Sequence, residues 1–181
     1  MSDEYLKMCE DFTLLVSSAK SISGSSVFEI LKKYSSEISV FDMMDFTSRV
    51  IEENKFVQEN FRQDSQKSYI ESFLYRIKDI QKDTADYSKN IDKDALGNAI
   101  QVLKANHSKV TSDDKSLLIT YIASFYATFL LEESIHPVGT PFPGSLKLEE
   151  KDGKFYCPVK NSNIGAPNAF CKICLAEQQD F

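Results

Sequence analysis

With 181 residues, 42% of them hydrophobic, the chain is long enough to bury a core without disulfides, and one domain, or one domain with an appendage, is expected. Its net charge of −6 comes from intermixed acidic and basic residues, and its small basic cluster at Lys32 and Lys33 has Glu29 and Glu37 at helical distance; this excludes nucleic acid as a partner, because phosphate binding needs a basic patch or stripe. The acidic opening MSDEYLKMCEDF lacks the basic and apolar regions of a signal peptide, and the most apolar run, residues 117–131, is shorter than the ~20 residues that span a bilayer, so a cytoplasmic protein with no membrane segment is expected.

Up to residue 135 the sequence reads as successive amphipathic helices, a multi-helix bundle. Tyr5, Met8, Phe12, Leu15 and Val16 recur at three- and four-residue steps and line one helical face. The stretch SISGSS, residues 21–26, breaks the pattern, and Val27, Ile30 and Leu31 start a short helix ending near Ser35 and Ser36. A longer helix follows from about Phe41, with Met44, Val50, Ile51 and Phe61 on or near one side and Glu52, Glu53 and Lys55 on the other. The pattern pauses at residues 63–65. Tyr69, Phe73, Ile77 and Ile80 then define a helix with Glu71, Arg76 and Lys78 outward, and Leu96, Ile100 and Leu103 define another that begins near Asp92 or Asp94. Gly97 weakens that helix by about 1 kcal/mol relative to Ala, and the polar stretch Asn106-His107-Ser108 ends it, with His107 a solvated loop residue. Thr111 or Ser112 can cap the last helix, with Asp113 and Asp114 at the positive end of its dipole. That helix is apolar nearly all round and should be the core of the bundle.

Composition changes after Ile135. Pro137, Gly139, Pro141, Pro143 and Gly144 forbid helix. Leu146-Lys147-Leu148 and Phe155-Tyr156-Cys157 flank an Asp152-Gly153 turn and predict a β-hairpin. Residues 136–181 thus form a loop-rich segment packed on a bundle of residues 1–135.

That segment holds His136, Cys157 and the pair Cys171-Lys172-Ile173-Cys174. Three thiolates and one imidazole make a tetrahedral zinc site, and a C-x-x-C turn presents two sulfurs to one ion at low conformational cost. In a reducing compartment clustered Cys and His mean metal more often than disulfide. Competing readings exist for each ligand. His136 can be a helix C-cap, Cys171 and Cys174 can be a redox pair without a thioredoxin-like context, and an iron–sulfur cluster would recruit Cys9 as the fourth thiolate. Otherwise Cys9 is a small buried hydrophobe. Glu132 and Glu133 can act behind the ligands or as a general base on metal-bound water.

The segment His136-Pro137-Val138-Gly139-Thr140-Pro141-Phe142-Pro143-Gly144, then Asp152-Gly153-Lys154-Phe155-Tyr156-Cys157-Pro158-Val159-Lys160, then Cys171-x-x-Cys174, resembles an uncharacterised family of methanogenic archaea, domain of unknown function 2115. The resemblance is sharpest over the last quarter of the chain. It implies an archaeal cytoplasmic protein with His136, Cys157, Cys171 and Cys174 at the family's signature positions, and it brings no reaction with it. Ser145 stands where a second glycine is expected, and a positive φ there would strain the loop.

Two functions compete on these residues. One is a structural His/Cys3 zinc site that shapes a surface for a protein partner. The other is a zinc-dependent hydrolase that uses three of the ligands, with thiol redox or iron–sulfur chemistry as a further alternative.

Overall fold

The computed structural model describes residues 4–106, 115–166 and 169–180, and is mainly helical with small β-sheets. The expected loop at His107 and the cap at Thr111 or Ser112 with Asp113 and Asp114 lie outside the described residues. Helix α1 (Glu4–Ser18) buries Tyr5, Met8, Cys9 and Phe12, so Cys9 is a small buried hydrophobe, as expected. The SISGSS stretch ends α1 and starts the next helix. Ile22–Ser23 forms strand β1, and Ser23 then caps α2 (Gly24–Ser35) by accepting from the Ser26 N–H. Helix α3 (Val40–Glu53) begins with a reciprocal capping box between Ser39 and Asp42.

The chain breaks after α3, at a 3₁₀ turn over Asn54–Phe56, and not at residues 63–65, which lie inside α4 (Glu59–Ile70). No glycine or proline marks this break. Buried Asn54 makes it by donating from its side chain to the Val50 carbonyl at 2.8 Å, while Arg62 donates to the Lys55 and Val57 carbonyls. The face of α3 also differs from the expected one. Phe46 and Val50 are buried, whereas Met44 and Ile51 are 60% and 51% exposed.

A π-helical turn, Glu71–Tyr75, joins α4 to α5 (Arg76–Lys82). The extra residue in that turn rotates Arg76 inward, so Arg76 is buried and not outward as its spacing suggests. Strand β2 (Asn90–Ile91) pairs antiparallel with β1, and Asp92 caps α6 (Lys93–Ala105) through the Asp94 and Ala95 N–H groups. Tyr5 Oη donates to the Leu103 carbonyl at 2.5 Å and ties α1 to α6.

Helix α7 (Ser116–Phe125) is the expected core helix, touching α1, α2, α3 and α5. It closes in a second π-helical turn, Tyr126–Leu131, capped by Glu132 at φ 57°. The helix therefore ends four residues before Ile135, by a left-handed residue and ahead of the prolines. Among the described residues no helix is long and apolar enough to cross a membrane.

The C-terminal segment contains two small sheets. Strands β3 (Pro141–Phe142) and β4 (Leu146–Lys147) form one hairpin; β5 (Glu149–Lys151), β6 (Lys154–Cys157) and β7 (Glu177–Gln178) form the other sheet, with β6 and β7 parallel. The Asp152-Gly153 turn is as expected, with both residues at positive φ. Leu146 and Lys147, however, pair with β3 and lie outside that hairpin. Between β6 and β7 run a short helix, α8 (Lys160–Asn163), and a 3₁₀ turn, Phe170–Lys172.

Ser145 takes φ 61°, next to Gly144 at 84°, in the turn between β3 and β4. A left-handed conformation costs an L-residue roughly 1–2 kcal/mol, less the entropy glycine loses on folding. Ser145→Gly is expected to raise stability by about 0.5–1 kcal/mol in urea unfolding; a loss would mean that the Ser145 side chain contributes more than its backbone costs.

An acid-sensitive contact joins α5 to the end of α7. Tyr87 and Tyr126 donate to Asp83 Oδ2 at 2.6 and 2.8 Å, and the Ala85 N–H donates to Oδ1. Burial raises the Asp83 carboxyl, but these donors together with the charge of Lys32 outweigh it and leave the pKa below the ordinary value of 3.8. A folded-state pKa below the unfolded one gives stability that is present above the unfolded pKa and lost as pH falls through the folded pKa. Urea midpoints should therefore drop below about pH 4 in the parent and less steeply in Asp83→Asn; parallel pH profiles would remove Asp83 from the acid limb.

Candidate functional site

The first turn after α7 is anchored from α5. Arg76 donates to the Ile135 carbonyl, to the Ser134 carbonyl at 3.0 Å and to Glu133 Oε2 at 3.4 Å. The Ser134 hydroxyl donates to the His136 carbonyl at 2.7 Å. These bonds fix the backbone on both sides of His136. With the helix capped at Glu132, His136 is not a C-cap residue.

The His136 ring packs among Tyr69, Phe73 and Phe142, at centroid distances of 5.6, 5.9 and 6.2 Å. Burial, and then the nearby Arg76 charge, push its pKa down to about 4, so the ring is neutral near pH 7. Its tautomer follows from the π-helical turn. Ser72 Oγ donates its single proton to the Ser68 carbonyl at 2.6 Å, so at 3.2 Å from His136 Nδ1 it can only accept. Nδ1 therefore carries the proton, and Nε2 keeps its lone pair. A bare imidazole nitrogen has the lone pair to ligate a metal ion or to accept a proton.

The three C-terminal cysteines are electrostatic neighbours. Burial raises the Cys157 thiol above its ordinary value, opposed by the Val159 and Lys160 N–H groups and the Lys160 charge. Burial and the other two cysteines raise Cys171. The Ile135 N–H donates to Cys174 Sγ at 3.4 Å, one residue before His136. Cys157 packs with Leu148 and Ala176 in a small second core, which Cys174 joins to the main one. Cys9 belongs to the main core. All four cysteines are free thiols. As the groups stand, no three His, Cys, Asp or Glu side chains among the described residues are arranged to hold an ion.

Two cavities adjoin these groups. One, of about 340 Å³, is lined by His136, Tyr69, Arg49, Glu53, Thr120 and Phe170, among others. The second, of about 640 Å³, brings Cys174 and Lys172 beside Glu132, Asn98 and Thr128. Glu132 pairs with Lys89 at 2.8 Å and Glu133 with Arg76 at 3.4 Å, so both expected carboxylates are engaged in ion pairs.

Residues 23–179 match the family model described as "Uncharacterized protein conserved in archaea (DUF2115)". The chain belongs to this family. Its relatives include a UPF0305 protein of Methanothermobacter thermautotrophicus, 30% identical over 84% of this chain and 94% of the relative. Another, of Methanocaldococcus jannaschii, is 24% identical over 88% of this chain and 98% of the relative. No solved structure matches.

Sequence reasoning about this DUF2115 chain named His136 and the three cysteines but missed Tyr69, Ser72 and Arg76, which surround or anchor the histidine. A signal was present. Ser68, Ser72 and Arg76 recur at four-residue steps beside the apolar stripe, the pattern of a polar seam buried against a partner element.

Proposed function

We propose that His136, Cys157, Cys171 and Cys174 take one zinc ion as a structural site, which fastens the C-terminal segment of this DUF2115 protein to its helical bundle and shapes a surface for a protein partner. The observation that carries this reading is the bare Nε2 of His136, one residue from the Ile135 N–H that donates to Cys174 Sγ. Peptide N–H donors on thiol sulfurs stabilise the thiolate a soft metal requires, and a hydrogen bond at Nδ1 orients a histidine for ligation through Nε2. The groups supply the borderline-soft donors zinc prefers. An iron–sulfur cluster would need a fourth thiolate, and Cys9 is enclosed in the main core.

The second reading, a hydrolase-type enzyme, draws on the cavity of about 340 Å³ beside His136, whose Nε2 would then serve as base. Elemental analysis of protein purified without chelator separates the two. The structural reading expects about one zinc per chain, lost in both His136→Ala and Cys174→Ser. Zinc retained in His136→Ala would free the histidine for chemistry, and no zinc in the parent protein would overturn both metal readings in favour of a redox dithiol.

A further inference from the structure

Helix α3 carries an apolar face on the side turned away from the core. Val40, Met44 and Ile51 lie at four- and seven-residue spacing on one stripe, with Phe41 beside it, and their exposures are 63%, 60%, 51% and 73%. Phe56, 85% exposed, extends the stripe to a cavity of about 430 Å³ between the α3–α4 turn and the hairpin residues Pro141–Phe142. A run of large apolar side chains this exposed on one short helix is the mark of an interaction surface. Its surroundings are acidic. Asp45 and Glu52 lie beside Phe41 along α3, Glu37 stands before the helix and Glu59 after its far end, all exposed, while Glu53 lies on the opposite face and lines the cavity beside His136. Of the exposed cations on this stretch, Lys55 is engaged with Glu52, and Arg49 lies with Glu53 on the side of α3 that lines the cavity beside His136.

We infer that this face docks a cationic amphipathic helix of a partner protein, with apolar side chains set on Val40, Met44 and Ile51 and Lys or Arg facing Asp45, Glu37 and Glu59. The charge selects this occupant. A second copy of a chain of net charge −6 would set carboxylates against carboxylates, and an anionic membrane surface would be repelled in the same way. Helix-in-groove recognition uses anchors at this spacing, with charge setting on-rate and specificity. The inference deepens the partner-binding reading above and rests on it only for the existence of a partner; the α3 face is there with or without a metal.

The probe is an amphipathic helical peptide of ~18 Leu and Lys residues, long enough to span α3, titrated into the full chain and followed by amide chemical shifts. Saturable binding with shifts centred on α3 is expected, weakened about tenfold or more in Met44→Ser/Ile51→Ser, a loss of about 1.4 kcal/mol or more. Both side chains are more than half exposed, so this variant should fold, and its unperturbed core resonances check that it does. Equal binding of a Leu/Glu peptide, undiminished binding in the variant, or self-association through the same face would each overturn the inference. Peptide binding retained in zinc-free Cys174→Ser would uphold it independently of the metal reading.

Discussion

Phe125→Ala is expected to destabilise the protein by about 3–5 kcal/mol, a large share of the roughly 5–15 kcal/mol that holds a domain folded. Phe125 is fully buried on α7, with Phe12, Phe129 and Tyr121 at centroid distances of 5.0, 5.4 and 6.4 Å. Truncation loses the transfer free energy of the ring and leaves a void lined by other rings. These are held by their own contacts: Tyr121 also stacks on Phe170 at 4.7 Å, so it cannot swing in without uncovering the C-terminal turn. Phe125→Leu keeps most of the volume and should cost less than about 1.5 kcal/mol. Urea unfolding of the two variants checks this. A loss under 1 kcal/mol for Phe125→Ala would show that α7 is not the centre of the core.

Arg76→Ala should cost about 3 kcal/mol or more, through a different mechanism. Its guanidinium donates to the Ile135 and Ser134 carbonyls, and hydrogen bonds from a charged donor contribute about 1.5–3 kcal/mol each. The ion pair with Glu133 adds little, because that carboxylate is 52% exposed. Glu133→Gln should therefore shift stability by less than about 0.5 kcal/mol, and Arg76→Met should recover only the part due to packing of the stem. Arg76 is a positioning residue for His136, so its loss should also broaden the His136 ring signals before global unfolding. Equal losses in Glu133→Gln and Arg76→Ala would assign the effect to the ion pair and contradict this account of the turn.

The helices whose apolar spacing meets one core were legible in the sequence: α1, α2 and α6 turn the residues their periodicity names toward it, with Leu15, Val16 and Ile30 half-buried against it, and α7 is buried nearly all round. The misreadings arose where tertiary contacts override local pattern. Met44 and Ile51 follow a helical period as faithfully as Phe46 and Val50, and nothing local tells which stripe faces the core. The break at Asn54–Phe56 depends on Asn54 and Arg62 reaching back to carbonyls, which no turn residue announces. The π-helical turn at Glu71–Tyr75 inverted the reading of Arg76, since a one-residue shift in phase moves a side chain by about 100°. In the C-terminal segment the Asp152-Gly153 turn was readable because both positions need positive φ. The partner of β4 was not, because Leu146-Lys147-Leu148 suits either hairpin. Of the candidate site, the donor residues were legible as chemistry; the Ser68–Ser72–His136 hydrogen-bond chain that decides the tautomer exists only in the fold.

The central claim is one zinc held by His136 and three thiolates, and cobalt(II) tests it most directly, because its spectrum reports both ligand type and geometry. One equivalent added to anaerobic apoprotein should give strong sulfur-to-cobalt charge transfer with intense tetrahedral d–d bands, displaced stoichiometrically by zinc and shifted in His136→Ala as one nitrogen leaves the coordination sphere. Weak octahedral bands alone, or a spectrum unchanged by His136→Ala, would contradict the four-ligand site.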